Sequence, residues 1–255
     1  MREETPFKQR RNSARSSQRS SQHALLFSPL SLSRLLLGGA SPVRTPAASV
    51  DLALVLAIDT SGSVSNDRMT LQIHGCAHAI ENPEVIAAVR AGRHGRIAVT
   101  FVEWSSKDRQ DQVIDWTLIE NEPSARAFAA RIMESDRSIP GATSIGGAID
   151  FSVRLFTECG YRATRRVIDI SGDGRDNDGD RDVTEARDDA VSAGITINGL
   201  PIPGVEEELD RYYQENVIGG PDAFMIAADD FTNFETAILQ KLVSEIAFRP
   251  RSNIG

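Results

Sequence analysis

Three short stretches of this chain carry oxygen donors in patterns that suit a hard divalent cation. The first is Asp59-x-Ser61-x-Ser63. The second is Gly141-Ala142-Thr143-Ser144, which presents a threonine hydroxyl. The third is Ser171-Gly172-Asp173-Gly174. Alternation at i, i+2 and i+4 in an irregular loop can turn three short side chains toward one centre, and Gly62 leaves room for a tight bend. Carboxylates and hydroxyls match magnesium, which takes six oxygens at about 2.1 Å and keeps several waters. Thiolates and imidazoles are absent from all three stretches, which argues against zinc or copper. Alone, Asp-x-Ser-x-Ser would read as a capped strand–helix turn, because Asp and Ser favour both. The threonine and the second aspartate shift the balance toward a cation site.

Such residues need elements to position them. Residues 50–58 form a nearly continuous apolar run, the signature of a buried parallel strand, and Asp59 follows directly. Further strands are expected at 96–104, at 112–118 on a sheet edge, at 166–171, at 195–200 and at 223–227. Helices are expected between them. One is capped by Asn66 or Asp67 and carries Met69, Ile73, Ala77 and Ile80 at helical spacing. Others start at Pro123, at Ile145 and at Val183, and a long amphipathic one covers 231–248. This alternation predicts an α/β, doubly wound, mostly parallel six-stranded sheet with helices on both faces. Ligands of such sheets bind at the carboxyl ends of the strands, near the reversal of strand order. All three donor stretches fall in such loops.

In that order and on those elements, Asp59, Ser61, Ser63, Thr143 and Asp173 resemble the metal-ion-dependent adhesion site of von Willebrand factor A-like domains, which include integrin inserted domains. The resemblance spans roughly residues 50–248. The stretches GRIAVTFVEWS, RRVIDISGDG, AGITINGLPI and YYQENVIGGPDAF resemble a bacterial single-domain branch of that family. The resemblance implies a Rossmann-like fold and a bound Mg2+, with Mn2+ or Ca2+ able to take its place. It implies direct ligation by the hydroxyls of Ser61, Ser63 and Thr143, and ligation by Asp59 and Asp173 mainly through waters. One coordination position would accept a carboxylate from a partner protein, an event that relatives can couple to sliding of the last helix.

Composition narrows the remaining functions. The chain has 255 residues, 40% hydrophobic and 25% charged, which suits a globular domain and excludes collagen-like and wholly disordered classes. Two cysteines exclude a disulfide scaffold. Cys76 and Cys159 are expected to be reduced, partly buried thiols. Residues 51–255 hold 20 basic and 34 acidic side chains. A body that acidic repels phosphate backbones, so nucleic acid is not an expected partner. No stretch reaches the roughly 18 apolar residues of a membrane span. Residues 1–49 are basic and Ser/Arg-rich, with a patchy apolar middle and a small-residue end, which reads as an export signal to the periplasm or beyond. An organelle transit peptide or a solvated tail on a cytoplasmic protein would look alike. The folded domain is expected over 50–248, with a tail at 249–255.

Other features read as structural. In the run Asp173–Asp182, Asp176, Asp178 and Asp180 alternate as calcium ligands do, but an EF-hand's Gly and Glu are missing, so a solvated loop is expected. Asp169 lies within a buried strand and is expected to pair with Arg165 or Arg166. His74 and His78 stand one helical turn apart without a third ligand nearby, and read as helix surface. Trp104 and Trp116 read as packing. No nucleophile elbow, P-loop or dinucleotide fingerprint is present. The enzymatic alternative is a magnesium-dependent phosphoryl-transfer hydrolase using Asp59. It normally carries a second acid two residues on, where this chain has Ser61, and a nearby lysine. The body has only Lys107 and Lys241.

Overall fold

In the computed structural model, which describes residues 47–135, 140–202, 206–228 and 231–248, the apolar run becomes β1 (Ser49–Asp59). Its side chains alternate, as a strand requires. Leu52, Leu54, Leu56 and Ile58 enter one core, and Val55 and Ala57 enter another on the opposite face. A strand apolar on both faces must be covered on both, and this one is. Each fully buried Leu, Ile or Val in it contributes about 1.5–3 kcal/mol.

The chain continues through α1 (Asn66–Glu81), α2 (Pro83–Arg90), β2 (Ile97–Trp104), β3 (Gln110–Ile119) and α3 (Glu122–Met133). It then forms α4 (Ile145–Glu158), β4 (Arg162–Gly172), α5 (Val183–Ser192), β5 (Thr196–Pro201), α6 (Leu209–Tyr212) and α7 (Phe234–Ala247). The sheet order is β3-β2-β1-β4-β5. β1 pairs in parallel with β2 and β4, β5 is parallel to β4, and β3 is an antiparallel edge. The order reverses beside β1, so a crevice opens at the carboxyl ends of β1 and β4. α1, α2, α3 and α7 cover one face, and α4 and α5 cover the other. Gly75 lets α7 approach α1 closely, since a Cβ there would stand 2.7 Å from the Phe234 ring.

The α/β class, the mostly parallel sheet and the edge position of β3 agree with expectation; the strand count does not. Residues 223–227 form no sixth strand. Met225 makes one isolated parallel bridge to Gly199. The pairing stays short at both ends: Phe224 N donates to the Asn198 side chain at 3.0 Å, and although Ile226 N and Ala228 N reach the Gly199 and Pro201 carbonyls, Pro201 has no N–H to continue the ladder. α1 is capped by Ser65, whose hydroxyl accepts from Arg68 N at 3.3 Å, rather than by Asn66 or Asp67. α2 was not expected, although Asn82 caps it and Pro83 opens it.

Asp169 is the clearest departure. Its partner is neither Arg165 nor Arg166 but the ammonium of Lys241 on α7, at 2.5 Å. Lys241 also meets Glu245 at 2.7 Å, and Asn198 donates to Glu245 at 2.7 Å. Arg165 instead donates to the Glu245 carbonyl at 2.7 Å, and Arg166 to the Ala193 carbonyl. Local spacing favoured the arginines; the packing of α7 across β4 decides for the lysine. Burial, then the charge of Glu245, pushes the Asp169 carboxyl above its ordinary range against the pull of Lys241.

Cys76 and Cys159 are both buried and free. Burial pushes both thiols up, so neither is a ready nucleophile. His74 is exposed, and His78 faces Glu235 at 3.3 Å. Trp104 is fully buried, and Trp116 donates to the Leu155 carbonyl at 3.0 Å. The expected leader, apart from residues 47–49, and the expected tail at 249–255 lie outside the described residues. Among the described residues no helix is long and apolar enough to cross a membrane.

Candidate metal centre

Asp59 is the last residue of β1, and the chain turns immediately after it. Thr60 N–H and Oγ1 both donate to the Trp104 carbonyl, at 2.8 and 3.2 Å, which ties the turn to β2. Ser61 N–H donates to Asp59 Oδ1 at 2.7 Å, an Asx turn that folds the loop back. The hydroxyls of Ser61 and Ser63 then lie 3.0 Å apart. α1 starts directly afterwards and holds the loop's far end.

The second stretch docks on this turn. Gly62 N–H donates to the Gly141 carbonyl at 2.8 Å. Thr143 is held from the other side: its carbonyl accepts from Asn177 N and Asp178 N at 2.8 and 3.1 Å, and its own N–H donates to Asn177 Oδ1 at 2.9 Å. Thr143 Oγ1 lies 3.8 Å from where a Cβ on Gly174 would stand, so its hydroxyl borders the third stretch.

The third stretch closes the circle. β4 delivers Asp173 beside Asp59, and Asp173 N–H points to Asp59 Oδ2 at 3.4 Å. Ser63 Oγ donates to Asp173 Oδ1 at 2.5 Å, across 110 positions of sequence. Asp59, Ser61, Thr143 and Asp173 are each at most 4% exposed, while Ser63 stands exposed at the mouth. Asp59, Ser61, Ser63 and Asp173 are therefore linked by hydrogen bonds, and Thr143 borders them across Gly174.

The electrostatics fit a missing positive charge. Burial pushes the Asp59 carboxyl up to about 7; bonds from Ser61 pull it down, and the Asp173 charge raises it again. Asp173 is also raised, mainly by burial, with Ser63 and Arg68 opposing. Two buried carboxylates side by side are costly unless a cation joins them. The donor set is oxygen throughout, as Mg2+, Mn2+ or Ca2+ prefers. Among the described residues no group of three or more His, Cys, Asp or Glu side chains could hold a metal ion.

Several supporting residues carried no signal in sequence. Arg68 reaches Asp173 Oδ2 at 3.4 Å and lies 4.8 Å from the Phe231 ring centroid, just ahead of α7. The acidic run works as a brace. Asp176 Oδ1 accepts from Ile145 N and Gly146 N at the start of α4, at 2.6 and 3.3 Å. Asp178 accepts from Lys107 N, Asp180 pairs with Lys107 Nζ, and Asp182 caps α5. The alternating aspartates thus serve different neighbours. Asp182 adjoins the helix it caps, but the partners of Asp176, Asp178 and Asp180 are distant along the chain and invisible in it.

This strand order, with polar loops converging at the reversal point, is like that of the von Willebrand factor A fold. Solved structures of that class superpose on the chain. One is proximal thread matrix protein 1 of the mussel byssus, with a zinc-occupied MIDAS motif (TM-score 0.61, 13% identity, 78% of this chain and 49% of that one). Others are the von Willebrand factor type A protein of Catenulispora acidiphila (0.55, 15%, 78% and 42%) and the vWF domain of the type V pili tip protein Mfa5 of Porphyromonas gingivalis (0.55, 10%, 82% and 100%). The chain spans about half the length of the mussel protein. The chain belongs to the family described as protein of unknown function (DUF1194), whose model matches residues 49–250. No curated protein matches it.

Proposed function

We propose that the chain is a non-enzymatic, metal-dependent protein-interaction module. The observation that carries this reading is the 2.5 Å contact between Ser63 Oγ and Asp173 Oδ1, which joins two distant loops at one point beside Asp59. In this reading Ser61, Ser63 and Thr143 ligate Mg2+ through their hydroxyls, with Mn2+ or Ca2+ as substitutes. Asp59 and Asp173 hold it mainly through waters. Hydroxyl ligands donate no charge, so the ion stays electrophilic and attracts a partner's carboxylate. The zinc-occupied motif of the mussel protein supports a divalent ion, and the byssus and pilus-tip settings of the structural neighbours support export and adhesion.

The hydrolase alternative fares worse. Asp59 is fully buried and its Oδ1 is engaged by Ser61, which suits a nucleophile poorly. Lys107 pairs with Asp180, and Lys241 is buried against Asp169, so neither is placed to steady a phosphoryl group.

Capture from the source organism's exported proteins tests the reading. Retention of specific proteins in magnesium, lost in chelator and lost in Thr143→Ala, is the expected result. Retention indifferent to chelator would refute it. Hydrolysis of a generic phosphate ester that needs magnesium and disappears in Asp59→Asn would establish the hydrolase instead.

A pH dependence follows from Asp59. A cation needs the ionised carboxylate, so ion and proton compete. Metal affinity should fall about tenfold per unit as the pH drops below 7. In chelator the sign reverses. The folded pKa lies above the ordinary value of 3.8, so this group's stability contribution is full below that value and is lost as the pH rises to about 7. Manganese titration and thermal unfolding between pH 5 and 8 read both trends, and Asp59→Asn should flatten each.

A further inference from the structure

Behind the metal centre stands a tyrosine that the reading above does not use. Tyr213 is fully buried, among the largest side chains that are. Its ring is wedged over Gly199, where a Cβ would come 2.9 Å from Cδ1. Its hydroxyl is aimed at Gly172, between β4 and the metal loops. A Cβ on Gly172 would lie 2.7 Å from Tyr213 Oη and 3.0 Å from Asp59 Oδ2, so the two oxygens flank this one glycine. Among the described residues the Tyr213 hydroxyl has no hydrogen-bond partner.

A buried hydroxyl without a partner costs about 1–3 kcal/mol. Its setting suggests what the cost secures. Asp59 Oδ1 receives a short bond from Ser61 N–H at 2.7 Å, and Oδ2 receives the longer 3.4 Å approach of Asp173 N–H. The phenol is the polar group on the far side of Gly172 from Oδ2. Burial first, then the Asp59 charge, holds the Tyr213 phenol well above its ordinary value, so it remains a donor. The backbone is unusual at the same place. Tyr213–Val217 is a π-helical turn, closed by Ile218 N–H on the Tyr213 carbonyl at 3.0 Å. Such turns are rare and frequently accompany functional sites. This turn lies within the YYQENVIGGPDAF stretch.

We propose that Tyr213 is a positioning residue of the metal centre, its hydroxyl reaching Asp59 Oδ2 through one water and orienting that carboxylate for the cation. The inference rests on the metal-site reading proposed above. It also assigns Gly172 its role: any side chain there would part the phenol from the carboxylate.

The test uses the full chain and its Tyr213→Phe variant, with manganese as the probe. Free Mn2+ is followed by electron paramagnetic resonance, and thermal unfolding is measured in chelator. Losing an outer-shell partner of a metal ligand should weaken Mn2+ binding by about tenfold. The unfolding midpoint in chelator should change little, because the hydroxyl makes no direct bond to a protein atom among the described residues. A variant that binds Mn2+ as tightly as the wild type overturns the inference and leaves the metal centre standing. Weaker binding with a matching loss of midpoint in chelator reduces Tyr213 to packing and also overturns it. A wild type that binds no Mn2+ overturns both this inference and the site.

Discussion

Asp59→Asn should abolish stabilisation by divalent ions while leaving the metal-free protein as stable as before, or more so. A ligand at a hundred times its dissociation constant stabilises the native state by about 2.7 kcal/mol. Wild type should show that gain between chelator and saturating Mn2+, and the variant should show none. The loss of affinity should reach at least the 10–100-fold typical of outer-shell changes, because the carboxylate's charge is removed as well. The opposite sign in chelator has a separate cause. Asp59 is wholly buried and its carboxyl is pushed up to about 7, so above that pH the folded state carries an ion it solvates poorly. Asparagine keeps the oxygen that accepts from Ser61 N–H and removes the charge. A calorimetric comparison at pH 8 separates the two effects. If the variant unfolds earlier in chelator as well, Asp59 is a structural cap and the metal reading loses its central residue.

Lys241→Met should be the most damaging change outside the crevice, at about 3–5 kcal/mol. It would leave Asp169 and Glu245 buried without their shared cation. The deficit should depend on pH. Asp169 already titrates above its ordinary range in the folded protein, and without Lys241 its carboxyl would rise further. A raised folded pKa means stability that is present in acid and lost as the pH climbs through it. The variant should therefore be least impaired near pH 5 and most impaired near pH 8. Combining Lys241→Met with Asp169→Asn and Glu245→Gln should recover most of the loss, because replacing every member of a buried ion cluster is often nearly neutral. Denaturant melts of the single and triple variants at both pH values measure this. A single variant that melts like wild type at pH 8 would show that water reaches the cluster.

Much of the centre was legible before any coordinates. The apolar run of β1 and the polar turn after it are adjacent in sequence, so strand and first loop announce themselves together. Asp173 was readable because a parallel sheet sends every strand's carboxyl end to the same edge, whereas Thr143, between α3 and α4, was readable only from its donor type and its place before a helix. Residues 223–227 were misread for a related reason: the stretch has strand composition, but pairing depends on the neighbour, and Asn198 takes the N–H of Phe224.

The sequence by itself determined the layered α/β architecture and marked five oxygen-bearing side chains as candidate ligands, since periodicity and donor chemistry are properties of short segments. Only the tertiary structure decided that Lys241 answers Asp169, that Arg68 reaches Asp173, that Asp176 braces α4, and that the Tyr213 hydroxyl stands behind Asp59. Each of these depends on how a helix or turn lies across a strand far from it in the chain. Spacing along the polymer does not encode that arrangement, because it follows from how all the buried surfaces pack at once.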